Sequence, residues 1–435
     1  MKEKTKTPSD TLRSGQSGRH NAAPEGWEVL KKYARESLEL TRKIIEQYPA
    51  RRAGSDQCRE TAELLKDELQ QYCDTTTLES FEFHPNAFLG FLKVLAVTYV
   101  VSTGLLFLGG GWVLLAALIY SLGLGLTISQ FVFYRETFDP FYAKARGYNV
   151  FGVIDPSREI KQQIIIGGHH DSARVFTFLA SEWQKYYAHR IVAAMSFIIL
   201  ACLGSWIWGI YTLFSGDIPG FAATMKYLVL IGLVFVLPLY FFVGERMSPG
   251  AGDNLISSAI AVKLGKFFGQ AKQKGTPYLK NTRLIILSTD AEESGLRGAR
   301  AYVEKHRPEL LSLPTYFFNL ESIYSLDHIQ FLTSDLNGII KLSEKMARQG
   351  QSIATECGYK SSLFHFTFGG GATDAAEFAS SGIEATTLLG MPTHLVREGL
   401  VYHTRDDTVD NIDPRAVEAF FTITQRYIKK KDQDI

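Results

Sequence analysis

His169 and Asp171 stand one residue apart, directly after the apolar run Ile164-Ile165-Ile166 and the pair Gly167-Gly168. Three β-branched residues bounded by glycines read as a buried parallel strand that delivers a His-x-Asp pair to its C-terminal end. There His169 can offer one ring nitrogen to a zinc ion, while Asp171 takes the other ring N–H and fixes the tautomer. Four further groups of ligand-type residues follow in order. Asp253 closes Gly250-Ala251-Gly252-Asp253 before a helix, and Glu292 and Glu293 follow the apolar strand Leu284–Leu287. Glu321 ends Asn319-Leu320-Glu321, and His403 sits in Tyr402-His403-Thr404 ahead of the last helix. Singly, each has a structural reading: Asp253 as an N-cap, the paired glutamates as partners of a helix dipole. Together they form a set of imidazoles and hard carboxylate oxygens, nearly all at strand ends, that suits a pair of zinc ions. Adjacent carboxylates can also divide roles, one binding metal and one moving protons.

The elements that must position these residues read as α/β. Helices are predicted from Trp27 to Tyr48 and from Ser55 to about Tyr72, then a strand over Thr75–Phe83. Strands at Tyr148–Ile154, Gln162–Ile166, Arg283–Thr289, Tyr316–Leu320 and Ala385–Leu389 alternate with helices at Asn254–Phe268, Ser294–Lys305, Ile339–Arg348 and Thr373–Ser380. The last helix starts near Pro414. That alternation predicts a mostly parallel central sheet flanked by helices, and such sheets place their sites at the carboxyl ends of the strands.

Two segments break the pattern. Ala87–Leu108 is apolar except for Lys93, and Trp112–Tyr134 carries no charge, with Gly109-Gly110-Gly111 between them. Ile191–Phe214 and Tyr227–Val243 form a second such pair. Each run approaches the ~20 residues a bilayer-spanning helix needs, so two transmembrane hairpins are expected, inserted into one domain. The expected layout is a disordered tail at 1–25, domain segments at 26–86, 135–189 and 244–430, and hairpins at 87–134 and 190–243. The tail lacks the apolar stretch of a signal peptide.

Composition narrows the function classes. The formal charge is +1 and no basic run interleaves with stacking aromatics, so no nucleic-acid partner is expected. Cys58, Cys73, Cys202 and Cys357 are scattered without a CxxC pair, which gives no disulfide framework and no cysteine zinc site.

The series HHDS, GDN, DAEESG, NLE and YHT closely resembles the co-catalytic dizinc aminopeptidase family. That family also holds glutamate carboxypeptidases, glutaminyl cyclases and the transferrin-receptor ectodomain. The likeness covers roughly residues 27–84, 145–175 and 246–430, including Arg51–Ser55, Thr373-Asp374, Phe378 and Gly382-Ile383. The resemblance implies that one zinc takes His169 and Glu321, the other takes Glu293 and His403, and Asp253 bridges both. It further implies Glu292 as general base, Asp171 as the partner that orients His169, and Tyr402 as a hydrogen-bond donor to the oxyanion. Glu321 stands where the aminopeptidases often have Asp, as in the glutamate carboxypeptidase branch. His170 replaces a common Tyr and reads as structural.

The function expected is a membrane-embedded dizinc exopeptidase, an aminopeptidase, whose hairpins either only tether the domain or wall the substrate approach and favour apolar or membrane-associated peptides. A carboxypeptidase, dipeptidase or glutaminyl cyclase of the same family is the alternative, as is a non-catalytic scaffold on the same fold. Cyclases use one zinc, so the five-ligand set favours hydrolysis. A transporter is disfavoured, because Lys93 is the sole charged residue in the four runs. The domain flanks of the hairpins carry Arg135, Lys144, Arg146, Lys185, Arg190 and Arg246, whereas the tips carry Lys226 against Asp217. Positive residues prefer the cytoplasm, which predicts a cytoplasmic catalytic domain.

Overall fold

The computed structural model describes residues 26–182, 184–216, 218–392 and 400–435. The expected tail at 1–25 lies outside the described residues, as does Asp217 at the second hairpin tip.

The chain opens with two amphipathic helices, α1 (Trp27–Gln47) and α2 (Asp56–Gln70). Tyr33, Leu40 and Ile44 form the buried stripe of α1, and the Ser55 side chain caps α2 by accepting from Cys58 N at 3.2 Å. β1 (Thr75–Phe83) follows, half exposed along its length. Then come α3 (Phe91–Leu108) and α4 (Trp112–Thr127), and the chain returns to β2 (Ala145–Ile154) and β3 (Gln162–His169). β3 is buried at every residue, as a central strand covered on both faces must be. A short β4 (Arg174–Phe176) leads into α5 (Tyr187–Ser215) and α6 (Pro219–Val236), which return through β5 (Val243–Met247).

The remainder runs α7 (Ile256–Gln273), β6 (Thr282–Thr289), α8 (Arg297–Leu310), β7 (Thr315–Ile323) and β8 (Gln330–Leu332). After the small ribbon of β9 (Ser334–Asp335) and β10 (Ile340–Lys341) come α9 (Glu344–Glu356), β11 (Ser362–Phe364), α10 (Ala375–Ser380), β12 (Glu384–Gly390) and α11 (Pro414–Gln433). The helix expected over Ile339–Arg348 begins instead at Glu344, where the Ser343 side chain caps it.

Among the described residues, eight strands form one sheet in the order β1-β2-β6-β3-β7-β12-β8-β11. The expectation of a mostly parallel sheet is corrected: the sheet is mixed. β6, β3, β7 and β12 are parallel neighbours, but β1 on β2, β2 on β6 and β8 on β12 are antiparallel. Strand–helix alternation does not report direction at the sheet's margins, where the connections need not cross over. The helices α1, α2, α7, α9 and α11 cover one face, and α8 and α10 the other.

Both apolar hairpins leave and return through antiparallel pairs. The first is bounded by Phe83 opposite Ala145, the second by Phe176 opposite Val243. Each therefore occupies the loop position of a strand pair, and its length does not alter the sheet. Among the described residues, four helices are long and apolar enough to cross a membrane, spanning Phe88–Leu108, Trp112–Val132, Gln184–Ser215 and Pro219–Phe241. They pack as one bundle, α3 against α4 and α6, and α5 against the same two. Small residues such as Ala116, Ala117, Ala194 and Ala201 face inward with Tyr99, Tyr120 and Trp208, while Val97, Leu118, Leu203, Ile207 and Val234 face outward.

Candidate metal centre

β3, β6 and β7 run parallel, so their C-terminal residues arrive together at one edge of the sheet. His169 ends β3, and its Nδ1 lies 3.1 Å from Asp171 Oδ1, which turns Nε2 toward the centre. The same Asp171 carboxylate accepts from the backbone N–H of Glu292 and of Glu293, each at 3.2 Å. One side chain thus orients the histidine and fixes the turn that presents both glutamates.

Asp253 lies before α7, and its two carboxylate oxygens face different partners. Oδ1 is 3.3 Å from His169 Nε2, and Oδ2 is 3.0 Å from His403 Nε2. Glu321 Oε1 stands 3.7 Å from His169 Nε2, and Glu293 Oε1 stands 3.2 Å from His403 Nε2. Glu292 Oε2 is 3.7 Å from His169 Nε2 and borders the cleft. The structure brings all the sequence-predicted site residues together, with Tyr402 stacked on the His403 ring at 3.9 Å between centroids. His403 itself is tied to β4: its carbonyl accepts from Phe176 N at 3.0 Å and its ring meets that of Phe176 edge-on.

Three positioning residues went unassigned in the sequence reading. Asp407 accepts from the N–H of Gly252 at 2.8 Å and of Asp253 at 3.3 Å. A side chain at Gly252 would overlap the Tyr324 ring, so the loop passes Tyr324 only as glycine. Asn254 donates to Leu320 O at 2.9 Å and to Glu321 Oε2 at 3.1 Å, and accepts from Ser322 N. Arg51 is fully buried and donates to the carbonyls of His170, Pro249 and Gly250. The acidic run Asp406-Asp407 just past His403, and the Arg in the Arg51–Ser55 match, were the available signals. His170 points the other way, its Nδ1 2.9 Å from Ser288 Oγ, as its structural reading requires. Behind it Cys58 Sγ donates to Asp290 Oδ1 at 3.2 Å, and Tyr148 N donates to the other Asp290 oxygen.

The electrostatics are those of a buried anionic cluster. Burial raises Glu292 well above the usual carboxylate range and Glu293 to about 7, Asp253 adding to the latter and His403 opposing it. Burial opposes the charge on Asp253 too, yet the two imidazoles hold it below the ordinary range. His403 is pushed up to about 10, burial being outweighed by Glu293 and Asp253. Among the described residues, the charge-pair partners of Asp253, Glu292, Glu293 and Glu321 are His169 and His403, with no Lys or Arg. His169 Nε2, Asp253 Oδ2 and Glu293 Oε1 are buried without a hydrogen-bond partner. Ligand atoms of His169, Asp253 and Glu293 lie within 4.8 Å of one another. Converging imidazole nitrogens and carboxylate oxygens with orphaned lone pairs fit divalent zinc, whose charge would offset the cluster.

The stretch from 239 to 428, which carries Asp253, Glu292, Glu293, Glu321 and His403, matches peptidase family M28. Residues 239–428 thus carry the pattern of a peptidase of this family. His169 and Asp171 precede the matched M28 stretch, and the sheet brings them to the same centre. Among curated proteins, a probable glutamate carboxypeptidase of Arthroderma benhamiae is 35% identical over 72 residues, 17% of this chain and 10% of that one. The matched part thus spans about a tenth of the curated relative's length. Among solved structures, a zinc aminopeptidase from Bacillus subtilis superposes with a TM-score of 0.54 at 12% identity, over 92% of this chain and 95% of its own. A glutaminyl cyclase from Bacteroides thetaiotaomicron gives a TM-score of 0.53 at 10% identity, over 91% and 97%. These two share the chain's fold.

A cavity of about 320 Å³ opens over the centre. Glu292, Glu293, Glu321, Tyr402 and His403 line its floor. Its walls include Phe88, Leu89, Phe131 and Tyr134 from the ends of the first hairpin and Tyr187 from α5.

Proposed function

We propose that this chain is a membrane-embedded two-zinc exopeptidase of the M28 family that removes N-terminal residues from peptides. The observation that carries the reading is Asp253, whose two oxygens face His169 and His403 separately, as a bridging ligand's must. His169 and Glu321 would hold one ion, Glu293 and His403 the other. When bound, the ion pair supplies Lewis-acid polarisation of the scissile carbonyl and a lowered pKa for the attacking water. Glu292 borders the cavity beside both ligand pairs, and in this reading its carboxylate takes the water's proton and hands it to the leaving amine. Asp171 keeps the His169 tautomer and the Glu292 backbone fixed through the cycle. In the same reading Tyr402, which stacks on His403 and lines the cavity, donates its hydroxyl to the developing oxyanion.

Membrane embedding is supported by the outward apolar faces and inward small residues of the four-helix bundle, a pattern suited to lipid outside and close helix packing inside. The aromatic wall contributed by Phe88, Phe131 and Tyr187 favours peptides with an apolar terminal residue presented at the membrane surface. The catalytic domain is read as cytoplasmic from the positive residues at the hairpin flanks.

A second reading, release of C-terminal residues, is favoured by Glu321 and by the glutamate-carboxypeptidase relative. Purification in detergent, zinc quantification, and parallel assay of aminoacyl and carboxy-terminal reporter peptides test both. Two zinc per chain with turnover of aminoacyl reporters is expected. Turnover of carboxy-terminal reporters alone selects the second reading, and a zinc-loaded chain inert to both sets sinks the exopeptidase assignment.

A further inference from the structure

A second cavity, of about 370 Å³, lies on the far side of Leu89 and Glu293, which line it and the active-site cleft alike. Arg52, Lys93 and Arg174 converge on it. The Arg52 and Arg174 guanidinium groups both donate to one oxygen, Asn86 Oδ1, at 2.6 and 3.0 Å. Among the described residues, the side-chain partner of Arg52 and of Arg174 is the neutral Asn86, and Lys93 stands over the Tyr240 ring. Glu245 is near enough to favour the Arg174 charge without pairing to it, and Glu293 is directed at His403. The Ser172 hydroxyl borders the same cavity, buried and without a partner. Burial, then the neighbouring Arg52 charge, lowers Arg174. Three unneutralised cations and an idle hydroxyl around one space are complementary to a phosphate, which arginine forks bind bidentately.

The surroundings identify what carries that phosphate. Lys93 lies in the first turn of α3, where a membrane-spanning helix reaches headgroup level. Its ammonium sits 5.5 Å from the Tyr240 ring centroid, and Tyr240 lines an apolar groove of about 280 Å³. That groove runs between Ala96–Val101 of α3 and Leu237–Phe241, and every residue bordering it is apolar or aromatic. A basic chamber that adjoins an apolar groove on a membrane-facing helix has the two halves of a lipid site.

We propose that Arg52, Lys93 and Arg174 bind the phosphate of an anionic phospholipid, with an acyl chain in the groove between α3 and Leu237–Phe241. Because Leu89 and Glu293 form the partition, the headgroup would stand directly beside the catalytic centre. The proposal rests on the membrane reading above. The full chain, in detergent and in vesicles of phosphatidylcholine with or without phosphatidylglycerol, supplies the test by native mass spectrometry of retained lipid. Phosphatidylglycerol should be retained over phosphatidylcholine, falling roughly fivefold for Lys93→Gln and again for Arg174→Gln, with Lys93→Arg preserving the preference. Equal retention of phosphatidylglycerol by parent and variants overturns the site. So does displacement by inorganic phosphate in a chain that shows no preference between the two lipids, which would mark a soluble-anion site. Alkaline carbonate extraction separates the two layers of inference. A chain released from the membrane overturns the membrane reading itself, whereas one that stays without favouring phosphatidylglycerol overturns the lipid site alone.

Discussion

Arg51 Nε donates to the carbonyl of His170 at 2.8 Å, while its Nη2 donates to the carbonyl of Gly250 at 2.9 Å. One buried guanidinium therefore ties the loop that carries His169 and Asp171 to the loop that carries Asp253, across the whole second hairpin. Arg51→Met would remove that tie and leave buried carbonyls unpaired, each worth about 1–3 kcal/mol. We expect a large loss of thermal stability in detergent, together with weaker zinc retention. An unchanged melting transition would show the two loops to be held by other contacts.

Removing Asp253 and removing Glu292 should have different consequences. Asp253→Ala is expected to lose both metals, because its oxygens face both histidines. Glu292→Gln should keep both and lose turnover by ~10²–10⁴-fold, the usual contribution of a positioned general base. Metal analysis beside kcat separates them, and an active Glu292→Gln enzyme refutes the base.

The Asp407 carboxylate accepts from the backbone N–H groups of Gly252 and Asp253, and its carbonyl accepts from Ala251 N–H. Asp407→Ala should weaken zinc affinity by ~10–100-fold, the usual cost of losing an outer partner of a ligand, while excess zinc restores activity. Competition with a chelator of known affinity reads the shift. Parent-like affinity would mean that the loop holds its shape without Asp407.

The membrane side can be read directly. Ala223→Cys near the second hairpin tip, in a chain with the four native cysteines replaced, should react with an impermeant maleimide applied to intact cells. A chain retaining Cys357 alone should be protected. The reverse pattern would put the catalytic domain outside.

The cleft wall offers a test of selection. Replacing both hairpins with short Gly/Ser linkers, at the Phe83–Ala145 and Phe176–Val243 pairs, keeps the sheet while deleting Phe88, Phe131 and Tyr187 from the cavity. If that version folds and binds zinc, its preference for apolar over polar terminal residues should fall several-fold, since each lost apolar contact in a pocket is worth ~1–3 kcal/mol. Equal relative rates in the two forms would restrict the hairpins to anchoring.

The ligand types were legible in the sequence because His169, the Glu292-Glu293 pair and Glu321 lie at the ends of apolar strands, where a parallel sheet presents its chemistry, while Asp253 and His403 stand in loops that precede helices. The apolar runs were equally legible, since roughly 20 residues without charge have few other readings. Strand direction was not: β1 and β8 have the composition of sheet strands, and only the pairing of Phe83 with Ala145 or of Leu388 with Phe331 shows that they run antiparallel to their neighbours. The supporting roles of Arg51, Asn254 and Asp407 were hidden for the same reason. Each acts mainly through backbone groups from distant parts of the chain, and a hydrogen bond to a carbonyl or an N–H leaves no pattern in the side chains it serves. The sequence by itself determined which atoms could hold metal and which segments could enter lipid. Only the tertiary structure decided that the two oxygens of Asp253 face opposite histidines and that the hairpin ends wall the cleft, because both depend on distances between residues that no local periodicity encodes.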